Sequence, residues 1–395
     1  MRWGLYVHLP FCLSKCYYCN FAVALWRPGR PEAYVEILLR EAREVRERGP
    51  LVRPAGAAPD PLRLPPPAAP PATLYYGGGT PTLTPIDAFA RLHRELLALF
   101  GLEPGAEVTV EANPETVDAA YLEALRALGA NRLSFGAQAA GDDLLRRLGR
   151  RHDAAAVRRA LAAARLAGFT NLNLDVMFGL PGQTAAEWEA TLDFVEELSP
   201  EHVSVYGLEV EERTPFHHWI QSGRLPQPDD ELAAHMYRRA RERLALAGYE
   251  QYEISNFARP GFASRHNGLY WENGDYLGLG VGAHSHWHGW RWGHTKNLRA
   301  YREAVASGRP ATDEDGARPV RGREALGDAM ILGLRRLRGV DCDELAARYG
   351  EDPREVWRAE LAELAGRGLL RMEGGRLRLT DEGLLLGNLV FAAFV

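Results

Sequence analysis

The sequence predicts an α/β fold on a parallel sheet, with a smaller C-terminal helical, winged-helix-like domain behind it. Short apolar strands alternate with amphipathic helices over the first half of the chain, polar residues and glycines gather at the C-terminal ends of those strands, and the pattern changes after about residue 210 and again near Asp313-Glu314-Asp315. Alternating strands and helices imply parallel strands joined by right-handed crossovers, in a barrel or an open sheet.

The first strand is GLYVHLPF, and the helix after it lies in PEAYVEILLREAREVRER, where Val35, Leu38, Leu39, Ala42 and Val45 recur at helical intervals. Residues 50–72 are crowded with Pro and Ala, which bars a regular helix or central strand and predicts a surface insertion loop. The alternation then resumes: TLYYG and a helix near 86–100, EVTVE and 117–128, NRLSF and 141–166, NLNLDV and 185–198, and finally HVSVYGL. Thr184 with Glu187, after Pro181-Gly182, forms a capping-box signature at the start of the 185–198 helix. Near-continuous apolar strands predict a sheet covered on both faces. An aromatic, Gly- and His-rich stretch follows, and the tail carries helical patterns at 323–337, 342–349 and 354–367 before LLRMEGGRLRLT, whose Gly374-Gly375 signals a hairpin. The expected divisions are 1–215 for the core, 216–310 for an extension packing on it, and 311–395 for the C-terminal module, which is expected to pack on the core or meet a protein partner.

At 395 residues and 46% hydrophobic content the chain can bury a sizeable core. It contains no run of eighteen apolar residues and starts without a signal-peptide pattern, so the expected location is cytoplasmic. A net charge of −5 argues against nucleic acid as the main partner.

The chemistry concentrates in CLSKCYYC, directly after the first strand. Cys12, Cys16 and Cys19 form a CxxxCxxC run whose soft ligands suit three irons of a [4Fe–4S] cube, with the fourth iron open to a small molecule. Zinc would ask for a fourth ligand in paired spacings, for which only distant Cys342 or His8 is on offer, and three thiols on one tight loop cannot pair off as disulfides. Gly77 to Thr80, Glu111, Gln138 and Asp175 end successive strands, the edge that holds the site in a barrel or open sheet. His284, His286, His288 and His294 form a second candidate metal cluster, the first three alternating along one strand face.

Taken in order, LYVHLPFCLSKCYYCNF, GGGTPTLT, VEANPET, RLSFGAQ, LDVMFGLPGQT, HNGLYW and GLGVGAHS resemble the radical S-adenosylmethionine (SAM) group that contains the oxygen-independent coproporphyrinogen III dehydrogenase HemN and the heme chaperone HemW. The resemblance spans nearly the whole chain. It implies a partial (β/α)6 barrel with a [4Fe–4S] cluster on the three cysteines and SAM on the open iron, where an electron from the cluster splits SAM into methionine and a 5′-deoxyadenosyl radical. It also implies SAM contacts at Tyr6, Tyr18, Gly78, Gly79, Thr80, Glu111, Gln138, Arg150, Asp175 and Gly207. The two glycines would let backbone approach the methionine end, Arg150 would offer a donor fork to the carboxylate, and Glu111, Gln138 and Asp175 would offer acceptors. Phe21 stands where the dehydrogenase has a further cysteine, and that enzyme's N-terminal extension is expected to be missing. Both departures turn the expectation from porphyrinogen decarboxylation towards a heme carrier. The carrier would use His266 of HNGLYW as axial ligand, with Tyr270 and Trp271 flanking the macrocycle, and pass heme to an acceptor protein, membrane-bound respiratory proteins among the candidates.

Overall fold

The chain is described by a computed structural model covering residues 2–56 and 60–395, so Ala57 to Pro59 of the Pro/Ala-rich insertion lie outside the described residues. Strands β1 (Trp3–Leu9), β2 (Thr73–Gly78), β3 (Glu107–Ala112), β4 (Arg132–Gln138), β5 (Leu172–Phe178) and β6 (His202–Gly207) are parallel neighbours in chain order. Helices Arg30–Arg48, Ile86–Phe100, Ala119–Ala127 and Ala185–Leu198 connect them, the last opened by the Thr184–Glu187 capping box. The expected 141–166 helix is two, Asp142–Arg147 and Ala154–Leu166. Gly149, in a left-handed conformation, breaks the run, and a Cβ there would meet the Tyr17 ring at 3.1 Å. The break has a use, because it turns Arg150 towards the strand ends.

Residues 216–310 do more than pack on the core. They supply β7 (Glu250–Gln251) and β8 (Asn256–Ala258) beyond β6, and β9 (Asp275–Leu279), β10 (His284–Trp287) and β11 (Trp290–Gly293) beyond β1; β12 (Arg318–Pro319), from the segment after 310, comes last. The resulting twelve-stranded order is β7-β8-β6-β5-β4-β3-β2-β1-β9-β10-β11-β12. Pairing β9 in parallel with β1 makes the strand that leads into the cysteine loop an interior one, and neither β1 nor β6 is left as a bare edge.

The expectation of two apolar faces is corrected. Trp3, Leu5, Val7 and Leu9 of β1, Leu74 and Tyr76 of β2, and Val108 and Val110 of β3 share one buried cluster under the helices. The alternate residues line the concave face and are polar: Tyr75 bonds Glu111, and Asn173, Ser134 and Asp175 bond one another. Hydroxyls, amides and carboxylates pair across this interior, so it is a wet-chemistry wall and not a second hydrophobic core.

In the C-terminal segment, helices Gly322–Leu334 and Cys342–Tyr349 precede a third that is broken at Trp357 into Pro353–Val356 and Arg358–Gly366. The hairpin Leu370–Glu373 with Arg376–Leu379 turns at Gly374 and Gly375, φ 56° and 81°, as a two-residue primed turn requires. Val340–Asp341 adds a third strand, which completes a winged-helix-like unit. Leu326, Met330, Leu345 and Leu377 of this unit share a buried cluster with Val203 and Val205 of β6. No helix among the described residues is long and apolar enough to cross a membrane.

Candidate functional site

After Leu9 the chain makes a short strand, Phe11–Cys12, which pairs with Ala24–Leu25, so the cysteine loop closes on itself. Three ties pin it to the barrel. His8 Nε2 donates to the Ala22 carbonyl at 2.8 Å, Tyr17 N–H donates to the Leu148 carbonyl at 3.1 Å, and Phe216 N–H donates to the Tyr17 carbonyl at 3.0 Å. Since the Ala22 carbonyl only accepts, His8 carries its proton on Nε2, and Nδ1 accepts from the Tyr6 hydroxyl at 3.1 Å. Burial lowers the His8 pKa to about 4 and keeps the ring neutral.

A hydrogen-bonded chain joins two of the thiols. Thr80 Oγ1 lies 3.7 Å from Cys12 Sγ, Asn113 Nδ2 donates to Thr80 Oγ1 at 3.0 Å, Arg150 donates to Asn113 Oδ1 at 2.7 Å, and its other arm lies 3.5 Å from Cys16 Sγ. Arg150 also donates to the Gly136 carbonyl at 3.0 Å, and a Cβ on Gly136 would sit 3.0 Å from its guanidinium. Asn113 and Gly136 are site residues that the motifs alone do not single out, and His8, which the sequence offers only as a possible fourth ligand, ties the loop instead. The signal is a histidine and an asparagine at strand ends inside the quoted blocks, but a pairing of side chains across strands leaves no mark in one sequence.

The thiols of Cys12, Cys16 and Cys19 are free and partly exposed. Burial pushes Cys12 up to about 11 and raises Cys19 as well, so these thiols lose their protons only to a strong positive partner. A metal centre is such a partner. Among the described residues no three His, Cys, Asp or Glu side chains converge as ligands of a single ion do. Three thiols that each address a different iron of a cube need no such convergence, and the loop fits that demand. The same observation counts against the histidine cluster. His288 sits at φ 50° in the turn between β10 and β11, off the strand face, and the Nδ1 atoms of His286 and His294 bond the Gly274 and Gly280 carbonyls.

Gly78 and Gly79 also meet a steric demand inside the protein itself. A Cβ on Gly78 would meet the His8 ring at 2.8 Å, and one on Gly79 would lie 2.6 Å from the Pro10 carbonyl. These glycines let β2 close against the root of the cysteine loop. The Gly78 N–H donates to Glu111 at 3.0 Å and Tyr75 Oη donates at 2.8 Å, while burial raises the Glu111 pKa to about 7. Gln138 is buried at φ 59° with Oε1 unpartnered, beside a bulge in β4, and Arg150 Nε is unpartnered too. A buried, strained residue with an orphaned oxygen at a strand end is what a bound polar ligand would satisfy. Tyr18 packs near Phe216 in the loop, Tyr6 stacks on Tyr75 deeper in the barrel, and Gly207 closes on the Phe178 ring, where a Cβ would lie 3.0 Å away. Asp175 sits midway down β5, bonded by Asn173 at 2.8 Å.

Glu111 gives a pH signature. Its folded carboxyl holds a proton more tightly than an unfolded one, so its contribution to stability is whole below the ordinary Glu range and is lost as pH rises through 7. At ~1.4 kcal/mol for each tenfold change in proton affinity, Glu111→Gln should remove a cost of about 3 kcal/mol at pH 8 and almost none at pH 4. Urea unfolding of the ligand-free protein at several pH values measures this, and parallel profiles for the two proteins would contradict it.

The structure takes His266 away from the site. It opens helix Arg265–Trp271 at the opposite, N-terminal end of the barrel, where the Arg265 and His266 N–H groups both donate to Glu107 at 3.0 Å. Only 1% exposed, its Nδ1 bonds Thr73 Oγ1 at 2.7 Å and its Nε2 bonds Tyr270 Oη at 2.7 Å. With both nitrogens engaged, the imidazole has no lone pair open to heme iron in this conformation. His266→Ala orphans two buried hydroxyls and should cost about 3 kcal/mol of stability. The heme spectrum of the folded variant should be unaltered; an unchanged denaturation midpoint with a shifted Soret band would reverse the assignment.

Comparison with known proteins bears on the whole arrangement. A model of the radical SAM superfamily matches residues 67–195, and one of the HemN C-terminal domain matches residues 321–386. The cysteine loop precedes both segments, but full-length relatives span it. The chain is 36% identical over 395 residues to the heme chaperone HemW of Bacillus subtilis, covering 99% of this chain and 98% of that protein. It is 34% identical over 398 residues to the mitochondrial radical S-adenosyl methionine domain-containing protein 1 of Bos taurus, covering 97% and 85%. Among solved structures, coproporphyrinogen III oxidase (HemN) from Escherichia coli, a radical SAM enzyme, matches at TM-score 0.83 and 25% identity, covering 100% of this chain and 90% of that one.

Proposed function

Because the chain belongs to the HemW family of radical SAM proteins, we propose that it is a heme carrier, which binds heme and hands it to an acceptor protein while holding a [4Fe–4S] cluster and SAM in its barrel. The observation that carries this reading is likeness along the whole length: 36% identity covering 99% of the chain to a protein named as a heme chaperone. Cys12, Cys16 and Cys19 hold the cluster. When bound, the cluster and SAM supply one-electron chemistry.

The chain's own residues orient that pair. Arg150, braced by Asn113 and the Gly136 carbonyl, would offer its donors to the SAM carboxylate, and the orphaned Gln138 Oε1 would offer an acceptor to the SAM amino group or a ribose hydroxyl. Glu111 and Asp175 supply further acceptors deeper in the barrel. Tyr18 would meet the adenine, and Tyr6 with His8 ties the strand end to the cysteine loop. Thr80 lies against the cluster side through Cys12.

Anaerobic reconstitution with iron and sulfide, followed by hemin titration, tests the carrier reading. A saturable Soret change at one heme per chain is expected, and its absence would refute it. Decarboxylation of coproporphyrinogen III is the second reading, favoured by the full-length likeness to HemN. Phe21, where the dehydrogenase is expected to have a cysteine, weighs against it.

A further inference from the structure

A cavity of about 310 Å³ lies between the end of helix Arg265–Trp271 and the C-terminal unit. Its wall carries Arg336, Arg338, Arg348 and Arg376 against the carboxylates of Glu272, Asp341 and Glu344, which leaves one positive charge uncompensated. The rest of the lining is apolar, with Trp271 as its largest member. Two polar atoms of lining residues, Trp271 Nε1 and Arg336 Nε, are buried without a partner.

One carboxylate already occupies the arginines. Glu272 Oε1 accepts from Arg336 at 3.2 Å and from Arg338 at 2.7 Å. Its side chain is 51% exposed, so it can leave the cavity without unfolding anything, and the wall then carries two uncompensated positive charges. Arg348 has a different task, because both its arms donate at 3.0 Å to the Glu272 and Asn273 carbonyls that end the helix.

We propose that this cavity binds the propionate edge of heme, with Glu272 as the resident carboxylate that the propionates displace. The inference rests on the heme-carrier reading and adds the location. Two propionates match the charge that Glu272 uncovers, and guanidinium forks match carboxylates in shape. Trp271, the aromatic side chain of the lining, stands beside the arginines where the edge of a ring would enter. Among the described lining residues none is His, Cys or Met, so iron is not gripped there. That suits a protein that must release its cargo.

The test is a titration of the full, reconstituted chain with hemin, iron-free protoporphyrin IX and protoporphyrin IX dimethyl ester. Wild type should bind hemin and the free acid within a few-fold of each other and the ester at least tenfold more weakly. Arg338→Gln with Arg376→Gln should weaken hemin tenfold or more and leave the ester unaffected. Glu272→Gln should tighten hemin a few-fold, a gain that a merely structural role for the residue would not produce. Arg338 is 61% exposed, and thermal melts check that the variants fold. Hemin bound equally by wild type and all variants would overturn this site while leaving the carrier reading intact. No saturable hemin binding by the wild type would overturn both, and preference for the ester would overturn the propionate contact alone.

Discussion

Replacing any one of Cys12, Cys16 or Cys19 with serine abolishes a SAM-responsive [4Fe–4S] signal, whereas Cys342→Ser leaves that signal intact. The asymmetry follows from where the thiols stand. The first three lie on one loop at the C-terminal end of β1, partly exposed, and two are tied through Thr80, Asn113 and Arg150 into a single rim. Cys342 opens a helix in the C-terminal unit and is wholly buried in the second apolar cluster. A serine hydroxyl is a harder and far weaker ligand for iron than a thiolate, and three protein ligands leave no spare. The visible charge-transfer absorption and the low-temperature electron paramagnetic resonance of the reduced protein, with and without SAM, read the outcome. Loss of the cluster in Cys342→Ser alone would show that a fourth protein ligand had been overlooked.

Gly79→Val has the next largest effect, and it is expected to take the cluster away along with SAM. A Cβ at Gly79 would stand 2.6 Å from the Pro10 carbonyl carbon and 2.8 Å from the Phe11 carbonyl oxygen, and backbone cannot yield as a flexible side chain can. A branched side chain therefore pushes β2 away from the root of the cysteine loop, at a cost of about 3 kcal/mol or more. Iron content and SAM affinity should fall together. A variant that keeps a full cluster and loses only SAM would mean that the glycine makes room for ligand and not for the loop.

Much of this site is legible in the sequence because its determinants are local. CxxxCxxC sits on one loop, Glu111 and Gln138 lie at the ends of their own strands, and the Thr184 capping box is read within four residues. The 141–166 stretch reads as one helix because Leu144, Leu145 and Leu148 before Gly149 and the Ala-rich run after it sustain a helical pattern, and the packing of the Tyr17 ring against that glycine is not visible in the sequence. The role of Gly79 escapes the sequence for a related reason: a glycine's place in the chain cannot say which neighbour comes close. His266 is a different case. Its motif is conspicuous, but whether an imidazole faces a ligand or plugs a barrel floor depends on Thr73 and Tyr270, and Thr73 is 193 residues away. The extension after residue 215 hides its strands because their pairing partners, β1 and β6, already read as complete elements of the core.

Whether this chain carries heme or decarboxylates a porphyrinogen is decided most directly by a chromatographic product assay on the reconstituted, reduced protein supplied with SAM and coproporphyrinogen III, run beside release of bound heme to an excess of an apo-heme protein. The carrier reading predicts transfer of heme to the acceptor and no protoporphyrinogen IX; multiple turnovers to protoporphyrinogen IX, with no heme passed on, would contradict it.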